Sequence, residues 1–291
     1  MGSPLSRNEA RGGDALKDMG EDRPGIGHST NLVGLPTDLL ASAWFNQAAP
    51  EIHIAGVREM NRSLFEMLAE APDLESAGEA FYKYMIAMFG LDPEQQDHRP
   101  GQGGAVRRFH ASYLRLLKGW GYDTNAKEGA VLKGWVESRF GLFPTFHREP
   151  ITKFASKAWI TYIEEKMTSR FHNNSIYVQL DLMYEFCQWA LARFAAPGES
   201  ALLLYRGVND FTEHQMIERI DNRQVVVRMN NLVSFSSDRG VADCFGDTIL
   251  ETRVPVSKIV FFNTLLTSHP LKGEGEYLVI GGDYLVKASY L

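Results

Sequence analysis

Hydrophobic periodicity changes once along this chain, at Pro197-Gly198. From Asn174 to Phe194, apolar residues recur at three- and four-residue steps (Ile176, Leu180, Met183, Cys187, Ala190, Leu191, Phe194), which predicts a helix that the Pro-Gly dipeptide ends. Weaker stripes of the same period precede it: Leu64/Phe65/Leu68, Phe81/Tyr84/Met85/Met88 and Tyr113/Leu114/Leu117. Beyond Gly198 the runs are extended: 201–205, 224–228, 232–236, 258–262 and 277–280, rich in Val, Ile, Leu, Phe and Tyr. Helix-forming and strand-forming sequence therefore occupy separate parts of the chain. This predicts an α+β fold, a helical N-terminal part packed on a C-terminal mixed β-sheet core, rather than alternating βα units. No G-x-G-x-x-G follows a strand, and Gly101-Gln-Gly-Gly104 follows the polar run Asp92 to Pro100 with no βαβ context.

The chain divides into a tail over residues 1–30, a helical region over 31–198 and a β-rich core over 199–291, the last two expected to form one compact unit. The tail is rich in Gly, Asp, Arg and Ser without aliphatic pattern, so it has little to bury. With 291 residues, 44% of them hydrophobic, the remainder can bury a substantial core. The formal charge of −6 lacks the basic excess of a phosphate-backbone binder, so nucleic acid is not an expected partner. No apolar run approaches a membrane span and no secretory signal is legible, so a cytoplasmic protein is expected. Cys187 and Cys244, in apolar surroundings, cannot build a disulfide framework or a four-ligand zinc site. His172, His214 and His269 lack metal-ligand spacing, so no metal is implied and each is expected to be an ordinary polar or partly buried side chain.

Three places in the β-rich part put polar groups where a strand is otherwise apolar. In Leu204-Tyr-Arg-Gly-Val208, Arg206 follows an apolar run; it is either a surface charge or a clamp on an anionic ligand, with Gly207 allowing close backbone approach. In Leu232 to Gly246, Ser234 and Ser236 share one strand face and Phe235 takes the other, before a short helix with Ser237 as its N-cap. Such serines are commonly solvent-facing, and no G-x-S-x-G surrounds them. In Lys272-Gly-Glu-Gly-Glu-Tyr277, Glu274 and Glu276 project the same way, as carboxylates on a solvated edge or as a pair with divided chemical roles.

In order, the Arg, the Ser-x-Ser and the Glu-x-Glu resemble the R-S-E class of arginine-specific mono-ADP-ribosyltransferases. The phrases Val233-Ser-Phe-Ser-Ser237 and Val241-Ala-Asp-Cys-Phe-Gly246 are similar to the segment after the serine strand in such enzymes, so the motif likeness runs from Tyr205 to Ile280. From about Asn31 the chain is also similar to the bacterial dinitrogenase reductase ADP-ribosyltransferases. Phe235 departs from the Thr or Ser common at the middle of the S-x-S element, and the helical part has no counterpart in toxin-like members.

The resemblance implies NAD as co-substrate, an arginine of dinitrogenase reductase as acceptor, control of nitrogen fixation, and a PII-type signalling protein as regulator. It assigns Arg206 to the pyrophosphate and adjacent ribose, Gly207 to the nicotinamide amide and Ser234 to support of the catalytic carboxylate. Ser236 joins them in the NAD cleft. Glu276, ionised, would offset the charge that grows as the glycosidic bond breaks, and Glu274 would engage the acceptor guanidinium. Phe245 either packs on the nicotinamide or, as aromatic residues more commonly do, closes the short helix onto the sheet. An NAD glycohydrolase and a non-catalytic NAD- or ADP-ribose-binding module remain alternatives.

Overall fold

The computed structural model describes residues 25–91, 112–209, 214–266 and 275–290. Gly101-Gln-Gly-Gly104, His269 and Glu274 lie outside the described residues. Ten α-helices and eight strands are formed among the described residues. The helices are α1 (Thr37–Ala41), α2 (Ala43–Ala48), α3 (Val57–Met60), α4 (Arg62–Ala69), α5 (Leu74–Phe89), α6 (Tyr113–Trp120), α7 (Lys127–Phe140), α8 (Lys157–Thr168), α9 (Asn174–Ala190) and α10 (Arg239–Asp243). None is long and apolar enough to cross a membrane. Residues 25–30, assigned to the tail by composition, are held in place: Gly27 bridges Leu142, and the His28 amide donates to the Gly141 carbonyl.

The helix read most clearly from the sequence is α9. Its apolar stripe is buried, and its last turn, Leu191–Ala195, widens to a π-helix before Pro197-Gly198. Two carboxylates are buried with it, and both are paired, as removal of charge from water requires. Asp181 accepts from Trp135 Nε1 at 2.7 Å and from Arg139 Nε at 2.8 Å. Glu185 accepts from the Ile54 amide at 2.7 Å and from Arg58 Nε at 2.6 Å. Among the weaker stripes, Leu64, Leu68, Phe81, Met85, Tyr113 and Leu117 are buried, whereas Met88, expected with them, is exposed.

Two short strands, β1 (Phe146–His147) and β2 (Glu149–Pro150), form a separate hairpin. The main sheet contains β3 (Ala201–Val208), β4 (Gln215–Arg219), β5 (Gln224–Ser236), β6 (Thr248–Pro255), β7 (Ile259–Phe262) and β8 (Glu276–Tyr290). Every pairing among them is antiparallel, which corrects the expected mixed sheet. The runs 224–228 and 232–236 are one strand, with a register shift between Met229 and Leu232. Strands β4 and β6 were not expected. In β6 the polar residues Glu251, Thr252 and Arg253 interrupt the apolar text, but Thr252 is buried because its hydroxyl donates to the Leu285 carbonyl.

Strand β5 pairs along its length with β8, β8 with β6, β6 with all of β3, and β3 returns to β5 through Tyr205 opposite Ser236. These four strands thus close a ring, leaving β4 and β7 as flanking strands. One continuous core joins the ring to the helices, running from Phe81 and Trp135 through Phe186 to Phe261, Tyr284 and Val286. Fully burying aromatic and aliphatic side chains of this kind stabilises by about 1.5–3 kcal/mol each. Polar bonds fix the junction: Tyr184 donates to the Ser257 carbonyl at 2.7 Å, and Gln188 Nε2 to the Ile259 carbonyl at 2.7 Å.

Candidate active site

The ring's closure point gathers the three polar places read from the sequence. Tyr205 on β3 faces Ser236 on β5, and Ser236 faces Glu276 at the first position of β8, so three strands meet in one row. Arg206 and Ser234 flank that row. Arg206 Nη1 donates to the Ser234 backbone carbonyl at 2.8 Å, and Arg206 Nε donates to His214 Nε2 at 3.1 Å. In the second bond Nε2 accepts through its ring lone pair.

Ser234 Oγ donates to Glu276 Oε1 at 2.8 Å and accepts from Trp120 Nε1 at 2.9 Å. The indole N–H can only donate, which leaves the serine proton for the carboxylate. Glu276 is half-buried. Burial pushes its carboxyl above the ordinary glutamate value, and the Ser234 hydrogen bond, which favours the ionised form, works against that rise.

Arg206, Gly207, Ser234, Ser236, Phe245 and Glu276 all line one cleft of about 610 Å³. That size is within the usual range of small-molecule sites. Ser236 also serves the chain turn, because its hydroxyl accepts from the Asp238 amide at 3.0 Å. The N-cap of α10 is Asp238, accepting from the Gly240 amide at 2.6 Å, and not Ser237 as expected; a carboxylate accepts more strongly and serves two amides, those of Gly240 and Val241.

Gly207 is required by packing. A Cβ there would stand 2.0 Å from the Ala242 carbonyl oxygen, and one on Gly246 would stand 2.2 Å from the Val208 carbonyl carbon. The two glycines let α10 lie directly on β3. Phe245, at the end of this tight contact, is 68% exposed, so it does not close the helix onto the sheet. The burial that would stabilise an aromatic packed there is absent, and its ring sits in the cleft lining instead. Phe235 turns away into the core, where its ring lies 6.2 Å from that of Tyr284. Of the two cysteines, Cys187 is buried and Cys244, beside Phe245, is exposed.

Several lining residues were not anticipated. Trp120, Gly121, Tyr122, Asp123 and Thr124 come from the end of α6 and the turn into α7, and His214 precedes β4. A signal for the first group exists in the sequence: a Trp and a Tyr set among Gly119, Gly121 and Asp123 interrupt a helical stripe with a turn that retains large aromatics. His214 carries no such signal, since its role depends on a neighbour eight residues away.

The cleft therefore combines a cation, a half-buried carboxylate held by a hydroxyl, and aromatic rings. Compared with known families, residues 30–288 match the model for dinitrogenase reductase ADP-ribosyltransferase (DRAT). No solved structure matches the chain significantly.

Proposed function

The chain belongs to the dinitrogenase reductase ADP-ribosyltransferase family, whose activity is ADP-ribosylation of dinitrogenase reductase, and on that premise we propose that it transfers ADP-ribose from NAD to an arginine of that protein. The observation that carries the reading is the 2.8 Å bond between Ser234 and Glu276 in a cleft shared with Arg206. NAD fits such a lining: Arg206 offers a fixed positive charge to the pyrophosphate, and Tyr122 and Phe245 offer faces or edges to planar rings.

NAD brings the leaving group, nicotinamide, so the protein's part is positioning and electrostatics. Glu276, ionised, faces the positive charge that grows on the ribose as the bond to nicotinamide breaks. Ser234 holds that carboxylate in place. Arg206, braced by His214 and the Ser234 carbonyl, sets where the pyrophosphate lies. Glu274 orients the acceptor guanidinium and takes its proton as the new bond to the ribose carbon forms; a guanidinium, with its pKa above about 12, needs such a base. Gly207 and Ser236 complete the NAD-side lining. A PII-type signalling protein regulates the reaction, as the family resemblance implies.

The test incubates the purified chain with labelled NAD and dinitrogenase reductase and maps the label by mass spectrometry. Label on an arginine is expected. Label on another residue type overturns the acceptor assignment, and free ADP-ribose without labelled protein supports an NAD glycohydrolase instead.

A further inference from the structure

The helical part reaches Ser234 through the Trp120 side chain. Trp120, the last residue of α6, is 2% exposed and donates through Nε1 to Ser234 Oγ, 114 residues further along the chain. Ser234 in turn donates to Glu276. A serine hydroxyl rotates freely and has two lone pairs, so by itself it does not favour Glu276 as acceptor over another oxygen. An indole N–H occupying one lone pair removes the rotamers in which the hydroxyl proton points toward Trp120.

The segment carrying Trp120 is anchored to the same strand as Ser234. A Cβ on Gly129 would stand 2.1 Å from the Thr124 carbonyl oxygen, so the α6–α7 turn is pressed against α7. Next along the turn, Asn125 Oδ1 accepts from Lys133 Nζ at 3.0 Å, and Lys133 Nζ also donates to the Phe146 carbonyl at 3.0 Å. The Lys133 carbonyl accepts from Asn231 Nδ2 at 2.9 Å, and Asn231 lies on β5 three residues before Ser234. The turn that follows Trp120 is thereby tied to β5 by bonds independent of the one the indole makes to Ser234.

We propose that Trp120 is a positioning residue for ADP-ribose transfer: its indole N–H aims the Ser234 hydroxyl at Glu276, so that the helical part completes the catalytic apparatus. The inference rests on the proposed function for its kinetic consequence, but the coupling of Trp120 to Glu276 through Ser234 is measurable without it. The ionisable groups that share the cleft lining with Glu276 are Arg206 and Tyr205 on β3, His214 before β4, and Tyr122 and Asp123 on the α6–α7 turn. None of them is altered in the variants below.

The experiment titrates the Glu276 carboxyl by carbon NMR in protein with labelled glutamate, assigned by its loss in Glu276→Gln, for wild type, Trp120→Phe, Ser234→Ala and the double variant. The same four proteins are assayed for ADP-ribose transfer across pH. Phenylalanine keeps an aromatic ring in the site but removes the donor together with the indole's five-membered ring, a packing loss that acts equally in both backgrounds. Trp120→Phe is expected to move the Glu276 titration upward by several tenths of a pH unit, to carry the acid limb of kcat with it, and to lower kcat about tenfold, the scale of one lost buried hydrogen bond. KM for NAD is expected to stay within about twofold. In the Ser234→Ala background the same change is expected to add nothing, because the path it acts through is already gone. An unmoved Glu276 titration in Trp120→Phe, or an equal shift in both backgrounds, overturns the proposal and leaves Trp120 a packing residue. If the titration shows the coupling while wild type transfers no ADP-ribose, the positioning stands and the proposed function fails.

Discussion

Ser234 and Glu276 are bonded on a diagonal. Across the β5–β8 ladder Ser234 faces Leu278, and the residue facing Glu276 is Ser236, yet the 2.8 Å contact is made by Ser234. Ser236 accepts from the Asp238 amide as the chain turns into α10. Ser234, one pleat back on the same face, is held between Trp120 and the carboxylate. The two serines of the motif thus divide their work: one fixes the turn, the other the glutamate.

Glu276→Gln is expected to abolish transfer, by at least about a hundredfold in kcat, while circular dichroism stays native. The amide retains the shape and a hydrogen bond to Ser234 but not the charge. Retained transfer removes Glu276 from the mechanism.

The same substitution is expected to stabilise the fold at neutral pH. Burial raises the Glu276 carboxyl above its ordinary value of 4.5, so the folded state binds this proton more tightly than the unfolded chain. Stability from this group is full below 4.5 and declines as pH rises through the raised folded value. Glutamine has no ionisation to lose, so its melting temperature should exceed that of wild type at neutral pH and converge with it in acid. A wild type that melts higher at neutral pH contradicts this.

Glu274→Gln is expected to reduce arginine modification far more than hydrolysis of NAD to ADP-ribose and nicotinamide, because water needs no guanidinium partner. Equal losses in the two assays contradict the division of labour between the glutamates.

Gly207→Ala is expected to lower the melting temperature and raise KM for NAD together. The added Cβ, 2.0 Å from the Ala242 carbonyl oxygen, forces α10 away from β3 and carries Phe245 with it. Thermal unfolding and steady-state kinetics of the one variant check both effects, and an unchanged KM would detach α10 from the cleft's function.

Away from the cleft, Lys258 is fully buried, its ammonium donating to the Gly281 carbonyl at 3.2 Å and lying 5.0 Å from the centre of the Tyr284 ring. Burial pushes its pKa down to about 7, against a smaller opposing effect of Asp283. Between about 7 and the ordinary value of 10.5 the unfolded chain holds a proton that the folded one lacks, so this group makes stability rise with pH over that window. Lys258→Met is expected to flatten that rise and to raise the melting temperature at neutral pH. An unaltered slope in urea titrations from neutral to alkaline pH contradicts it.

Much of the architecture was legible because burial follows period. Helix α9, with apolar residues on a 3.6-residue repeat, and β3, β7 and the start of β8, with unbroken apolar runs, announce themselves. Strand β6 does not, since its polar residues are satisfied by contacts far away in sequence, such as Thr252 with Leu285. Arg206, Ser234 and Glu276 stood out as polar breaks in apolar strands, and their convergence follows from the ring closure at Tyr205 and Ser236. The aromatics of the turn after α6 carry a signal, but the bond Trp120 makes to Ser234, like the role of His214, was not legible. A Trp at the end of an amphipathic helix looks like core, and only the fold sets its N–H against a serine 114 residues away.

The claim on which the rest depends is that a single cleft, walled by both parts of the chain, holds NAD with Glu276 at the reacting bond. A crystal structure of the Glu276→Gln variant with NAD tests it directly. The nicotinamide ribose is expected within hydrogen-bond distance of the residue 276 side chain, with the pyrophosphate against Arg206 and Trp120 still bonded to Ser234. NAD bound elsewhere, with Arg206 and residue 276 touching none of it, contradicts the account.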